Sequence, residues 1–273
     1  MMSARWGVMA VVADRHRRAA ALAPFVARVS DYELGPVGVH RGLPSSTLSI
    51  TIPRSEAVEI GWLGRPGSGR RFEAAVAGLH LGAAELRQRG GARGVWVTLS
   101  PLGAVALLGV PASELAGDVV ELAEVAPAMA ELPERLAGCG SWPERRALVE
   151  NALLAGLVRN EGRAGGPALR AVLGALSATA RVEEAARALG WSRRYLSRTV
   201  RAACGVTPKE YQRLLRFEAA RGDLVAGARA GAVSLAAVAA GAGFADQAHL
   251  TREWRAMAGC TPAAWLRAEG MAG

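Results

Sequence analysis

The side chains best placed to do chemistry in this 273-residue chain form two groups near its end. Arg193, Arg194, Ser197, Arg198 and Arg201 make the first, and Gln247, His249, Thr251, Arg252 and Arg255 the second. At 100° per residue, Arg194, Arg198 and Arg201 share one helical face with Ser197 at its edge. Ala248, Arg252 and Arg255 do the same in the second group, flanked by Thr251. Guanidinium groups are permanent cations with fork geometry, suited to pairing with phosphate or with guanine O6 and N7. Gln247 and His249 fall at the start of their helix, where base edges are usually met. The chemistry implied is recognition of a polyanion, with no bond made or broken.

The elements that must carry these groups are repeated. Val182 to Pro208 reads VEEAARALGWSRRYLSRTVRAACGVTP, and Leu235 to Pro262 reads LAAVAAGAGFADQAHLTREWRAMAGCTP. Gly190-Trp191 answers Gly243-Phe244 with a shift of 53; Leu196, Arg198 and Gly205-x-Thr207-Pro208 answer Leu250, Arg252 and Gly259-x-Thr261-Pro262 with a shift of 54. The second copy therefore carries one extra residue in its turn. In the first copy Val182, Ala185, Ala186 and Leu189 make one apolar face. Gly190 can end that helix in a left-handed conformation and Ser192 can cap the next. Leu196, Thr199, Val200 and Ala203 then point inward, as do Leu250, Trp254 and Met257 in the second copy. A short helix, a glycine turn and a second helix with a basic outer face describe a helix-turn-helix, whose second helix can enter a major groove. Between the copies, Thr207-Pro208-Lys209-Glu210 is a capping box with proline at the first helical position. It opens a helix expected to run to about Ala226, roughly 25–30 Å long. Successive major-groove faces lie about 34 Å apart.

These residues resemble the DNA-binding domain of AraC/XylS-type transcriptional regulators. A-x-x-L-G-W-S-R-R-Y-L-S-R, G-V-T-P-K-E-Y, R-F-E-A-A-R and G-A-G-F-A-D-Q-A-H-L-T-R-E-W-R carry the match, over about the last 100 residues. Val200 and Ala242 depart from the family's usual side chains and read as packing changes. More weakly, H-R-G-L-P-S-S-T-L-S-I resembles the cupin-like sensor half of some members. The resemblance implies a bacterial, sequence-specific regulator of transcription, activation among its modes, with double-stranded DNA as partner. RNA polymerase, a small-molecule effector and a homodimer are partners it leaves open. The competing reading is a non-specific or architectural DNA-binding protein without a sensor.

Composition fits. Net charge is +9, and residues 165–273 hold 15 Lys+Arg against 8 Asp+Glu, so +7 of it lies with the repeat. Hydrophobic residues make up 51% of the chain, enough for packed cores. No apolar run reaches the roughly 20 residues that span a bilayer. The first residues lack the order of a secretory signal, so a cytoplasmic location is expected. The expected fold class is α+β: an antiparallel β, cupin-like domain with flanking helices over residues 1–160, a linker at 161–167, and an all-α domain at 168–273 in which a linker helix joins two helix-turn-helix motifs. Residues 1–30 read as a mobile or helical arm. Val37–His40, Thr47–Ile52, Ala57–Leu63, Ala74–Leu81, Gly94–Leu99 and Val105–Leu108 read as strands. Ser113–Leu136 turns helical and acidic. Trp142–Leu157 reads as a helix with Leu148, Ala152 and Ala155 on one face and Leu153 beside it, open either to its own sheet or to a second copy.

Nothing in the first half assembles into catalysis. His40 and His80 have no accompanying ligands, whereas a metal site needs three or four that converge. Gly64 to Arg71, GRPGSGRR, lacks the Lys-Ser/Thr ending of a phosphate-binding loop and reads as a hairpin loop. No Gly-x-Ser-x-Gly is present. Cys139, Cys204 and Cys260 are too far apart for a zinc or disulfide framework and read as small thiols, buried or partly so. No enzyme, cofactor or metal is therefore expected.

Overall fold

The computed structural model describes residues 18–34, 38–54, 56–88, 92–163 and 166–271. Most of the expected N-terminal arm and Val37, the start of one expected strand, lie outside them. Described residues give an α+β protein, its strands all before residue 122 and its last hundred residues all helical.

Among the described residues, nine strands form two antiparallel sheets. One has the order β1(Val26–Leu34)–β8(Ala92–Leu99)–β3(Leu48–Pro53)–β6(Ala75–Ala77)–β9(Val119–Glu121), the other β2(Gly38–Gly42)–β7(Ala84–Gln88)–β4(Val58–Trp62)–β5(Arg70–Phe72). Period-two alternation sets their faces. Leu48, Ile50 and Ile52 on β3 and Val95, Val97 and Leu99 on β8 are buried together with helical residues Leu102, Leu107, Val149 and Leu153. A smaller apolar cluster joins the sheets: Val58, Ile60, Phe72 and Ala84 from one, Ala75 and Val119 from the other. Residues Gly64 to Gly69 form the loop of the β4–β5 hairpin, and Gly64 and Gly67 adopt positive φ there.

Three expectations need correction. Residues 26–30, placed in an arm, belong to β1, an edge strand paired along β8. Val105–Leu108 is helical: α1(Pro101–Gly103) runs into a π-turn at Ala104–Leu108, closed by Gly109 at φ 84°. A short continuous apolar run carries no period to separate strand from buried helix. Ser113–Leu136 holds the short helices α2(Ala112–Leu115), α3(Leu122–Val125) and α4(Leu132–Ala137), but β9 interrupts them, paired to β6.

Helix α5(Trp142–Arg159) begins at Ser141, whose hydroxyl and the carboxylate of Glu144 form a capping box. Its buried face is Arg145, Val149, Glu150, Leu153 and Gly156, one step round from the face that apolar spacing selects. Two of those residues are charged, and pairing makes their burial tolerable. Arg145 donates to both carboxylate oxygens of Asp31 on β1, at 3.2 and 2.6 Å, and Glu150 accepts from Arg146 at 2.6 Å. Gly156 lies so close to the π-turn that a Cβ would strike the Leu107 carbonyl. This helix thus packs on its own domain.

Helices α6(Pro167–Ala178), α7(Val182–Ala188), α8(Arg193–Cys204), α9(Pro208–Arg229), α10(Leu235–Gly241), α11(Gln247–Ala258) and α12(Pro262–Ala268) complete the chain. At 22 residues, α9 is about 33 Å long, slightly more than its sequence suggests. Leu214, Phe217, Ala220 and Leu224 run along its buried side. Among the described residues no helix is long and apolar enough to cross a membrane.

Candidate nucleic-acid interface

Both copies of the repeat fold alike. In the first, Trp191 N–H donates to the Ala186 carbonyl at 2.9 Å while Gly190 takes φ 66°. In the second, Phe244 N–H donates to Ala239 at 2.9 Å with Gly243 at φ 77°. The positive φ is why glycine stands at both turns. Ser192 Oγ accepts from Tyr195 N–H at 3.2 Å, and the Asp246 carboxylate accepts from His249 N–H at 2.6 Å. The two second helices, α8 and α11, then end at Gly205 and Gly259, also left-handed. Leu196, Val200 and Cys204 bury one face of α8; Thr199 and Ala203 are only partly buried, so Cys204 fills a seat that spacing assigned to its neighbours. Burial pushes the Cys204 thiol up to about 12. Leu250, Trp254, Met257 and Ala258 bury the matching face of α11. Val200 and Ala242 are both buried, in keeping with packing roles.

The opposite faces are open. Arg193, Arg194, Arg198 and Arg201 are exposed on α8, with Ser197 half-buried beside them. Gln247, Arg252 and Arg255 are exposed on α11. Arg194, Arg198, Arg201, Arg252 and Arg255 make no ion pair among the described residues, whereas Arg193 is tied to Glu183 at 3.1 Å. The Arg198 guanidinium lies 5.4 Å from the centre of the Tyr195 ring, which is 42% exposed and meets Trp191 edge-on at 4.6 Å. That contact restrains one arginine. Two residues of the second group are partly used by their own helix. Thr251 Oγ donates to the Gln247 carbonyl at 2.8 Å, and His249 Nδ1 accepts from Ala245 N–H at 3.3 Å with its ring against Phe244. Only Nε2 of that imidazole faces outward chemistry.

Apart from Arg193, sequence spacing missed a set of cations between the first motif and the linker helix. Arg181, Arg193, Lys209 and Arg216 line a cleft of about 500 Å³ beside α8, with Ser197 on its wall and Glu183 as its single carboxylate. They come from three elements, so no local motif announces them. Nearby, Arg213 of α9 donates to Glu253 of α11 at 2.8 Å and braces the second motif against the linker helix.

The N-terminal domain touches this assembly at repeat-equivalent points. Gly205 lies against Ser113 and Ala116, and Gly259 against Leu63. Ser113 Oγ also donates to the Ala202 carbonyl at 2.7 Å. On α9, Glu218 accepts from Ser45 Oγ at 3.0 Å, Ser46 N–H at 3.3 Å and Ser46 Oγ at 2.5 Å. Hydrogen bonds to a charged acceptor contribute about 1.5–3 kcal/mol each way of counting. Glu218→Ala is therefore expected to leave each domain folded and to speed exchange of the Ser46 amide by roughly tenfold or more, followed by hydrogen exchange with mass spectrometry. Unchanged exchange would show that this carboxylate does not hold the domains together.

Residues 185–268 match the family model of a helix-turn-helix domain. The chain carries an AraC-type helix-turn-helix domain. A search of curated proteins finds no match. Crystal structures of ToxT from Vibrio cholerae share the fold beyond this AraC-type region. The O395 structure has a TM-score of 0.52 at 10% identity, covering 88% of this chain and 96% of ToxT. ToxT bound to an unsaturated fatty acid gives 0.53 at 10%, covering 89% and 95%. ToxT bound to (E)-4-(8-methylnaphthalen-1-yl)but-3-enoic acid gives 0.53 at 12%, covering 88% and 98%. At such identity the likeness is one of fold: a two-sheet N-terminal domain followed by the AraC-type helices.

Elsewhere the chemistry is sparse. His80 Nδ1 is 2.6 Å from the Gly82 carbonyl, its ring edge-on to Trp62, and burial lowers its pKa. His40 Nε2 is buried with no hydrogen-bond partner among the described residues. Among the described residues, no three His, Cys, Asp or Glu side chains gather as metal ligands would. Cys139, Cys204 and Cys260 are free thiols.

Proposed function

We propose that this chain is a sequence-specific DNA-binding transcriptional regulator of the AraC/XylS type. Its α8 and α11 read two successive major-groove segments, and residues 1–160 form the part that answers a small-molecule effector. One observation carries the reading: both copies bury their apolar faces and leave arginine faces in solvent. Arg194, Ser197, Arg198 and Arg201 are the proposed readers in the first segment, with Arg193 at its edge. Gln247, His249, Thr251, Arg252 and Arg255 serve the second. Base contacts specify and phosphate contacts position. Acidic ligands fit the sensor role, since ToxT has been crystallised with an unsaturated fatty acid and with an aryl butenoic acid. RNA polymerase and a second copy of the chain are the further partners this role expects.

The test is selection from a pool of random duplexes with the full chain. A regulator enriches one sequence with two elements about one helical turn apart and holds it at least about a thousandfold more tightly than unrelated DNA. Competition by unrelated duplex at equal strength would instead mark an architectural protein.

A further inference from the structure

We infer that the cleft between the first motif and the linker helix is a seat for the DNA phosphodiester backbone, with Lys209, Arg216 and Arg181 as phosphate-holding residues. This rests on the proposed reading of two groove segments. Four cations face one carboxylate there, and Glu183 already neutralises Arg193 at 3.1 Å. Three positive charges, on Arg181, Lys209 and Arg216, therefore make no ion pair among the described residues. Arg216 is the most telling. It is half-buried, forms no ion pair among the described residues, and its neighbour Arg213 has taken Glu253. A cation held partly out of water without a partner is unfavourable unless an anion arrives.

Placement names the anion. Ser197 and Arg193 of the first reading helix form one wall of the cleft. The stem of Arg216 lies beside Gly243, at the turn of the second motif. Arg216 thus stands at the border between the motifs, on the linker helix they share. Lys209 lies seven residues before it, nearly the same angle on that helix. Two successive major-groove openings on one side of a duplex are separated by the phosphate strands that border the minor groove. A protein with one helix in each opening must meet those strands along the helix that joins its motifs, and this cleft is walled by that helix and the first motif.

The experiment measures binding of the full chain to the selected duplex and to an unrelated one across a range of NaCl. Lys209→Ala and Arg216→Ala are each expected to weaken binding to both duplexes by the same factor. Each should lower the slope of log K against log salt by about 0.9, one phosphate contact. The ratio between duplexes stays at the parent value, and Arg216→Lys keeps the parent slope. Unchanged slopes in both alanine variants overturn the inference. So does a changed ratio at constant slope, which would make these residues base readers. Lys209 is exposed, so its variant decides the matter even if Arg216→Ala is unstable. A parent protein that binds both duplexes equally, while the slopes still fall in the variants, supports the cleft and overturns the sequence-specific reading instead.

Discussion

Arg198→Ala combined with Arg252→Ala is expected to fold like the parent and lose roughly 30-fold or more in affinity for the selected duplex. Both side chains are exposed, sit 54 residues apart at equivalent points of the repeat, and form no ion pair among the described residues. Removing them leaves no core cavity and no unpaired carboxylate; Arg198 gives up only its contact with the exposed Tyr195 ring. A bidentate guanine contact discriminates by about 1–3 kcal/mol, and sites on separate helices should add, giving about 2–6 kcal/mol for the pair. Arg198 should contribute the greater share, since its stack on Tyr195 already restrains it. Fluorescence anisotropy with labelled duplex, beside a thermal melt, separates binding from folding. Parent-like affinity in the double variant would remove both residues from the interface.

Trp254→Ala acts by the opposite route. This indole is fully buried, 4.6 Å from the Phe217 ring of α9 and 5.4 Å from Trp265 of α12. It is the piece around which α9, α11 and α12 close. Truncating so large a core side chain costs about 3–5 kcal/mol, from lost transfer energy and the void left behind. Urea unfolding should show the lower midpoint, and near-ultraviolet circular dichroism the loss of fixed aromatic packing. Because Ala185, Leu196 and Val200 lie buried in the other copy of the repeat, the first motif is expected to keep its protection from hydrogen exchange. A midpoint within experimental scatter of the parent would mean that the second motif is not organised around this ring.

Much of the C-terminal region was legible because a repeat makes each copy a check on the other. The extra residue inferred from the 53- and 54-residue shifts is visible as a longer turn, Ala242–Asp246 against Leu189–Ser192. Caps and turn glycines act locally, so Ser192, Thr207 and Gly190 could be placed from neighbours alone. The first half was less readable for a physical reason. Strand β9 has three residues and owes its state to pairing with β6, and the π-turn is an apolar run without periodicity. On α5, ion pairs to Asp31 and Arg146 bury charges that an apolar count treats as solvent-facing. The cleft was invisible for a related reason: Arg181, Lys209 and Arg216 meet only after α7 and α9 have packed.

Glu218 and Arg216 stand two residues apart on α9, and so about 200° around it, one toward the serines of the first domain and the other toward the gap between the motifs. Input and output are mounted on a single axle. Were the proposed effector to draw Ser45 and Ser46 away, it would act directly on the helical shaft that carries both proposed readers, without a relay through the chain at 161–167. Rotating that shaft by a few degrees would swing both arginine rows together, so registry with the two half-sites is gained or lost as a pair.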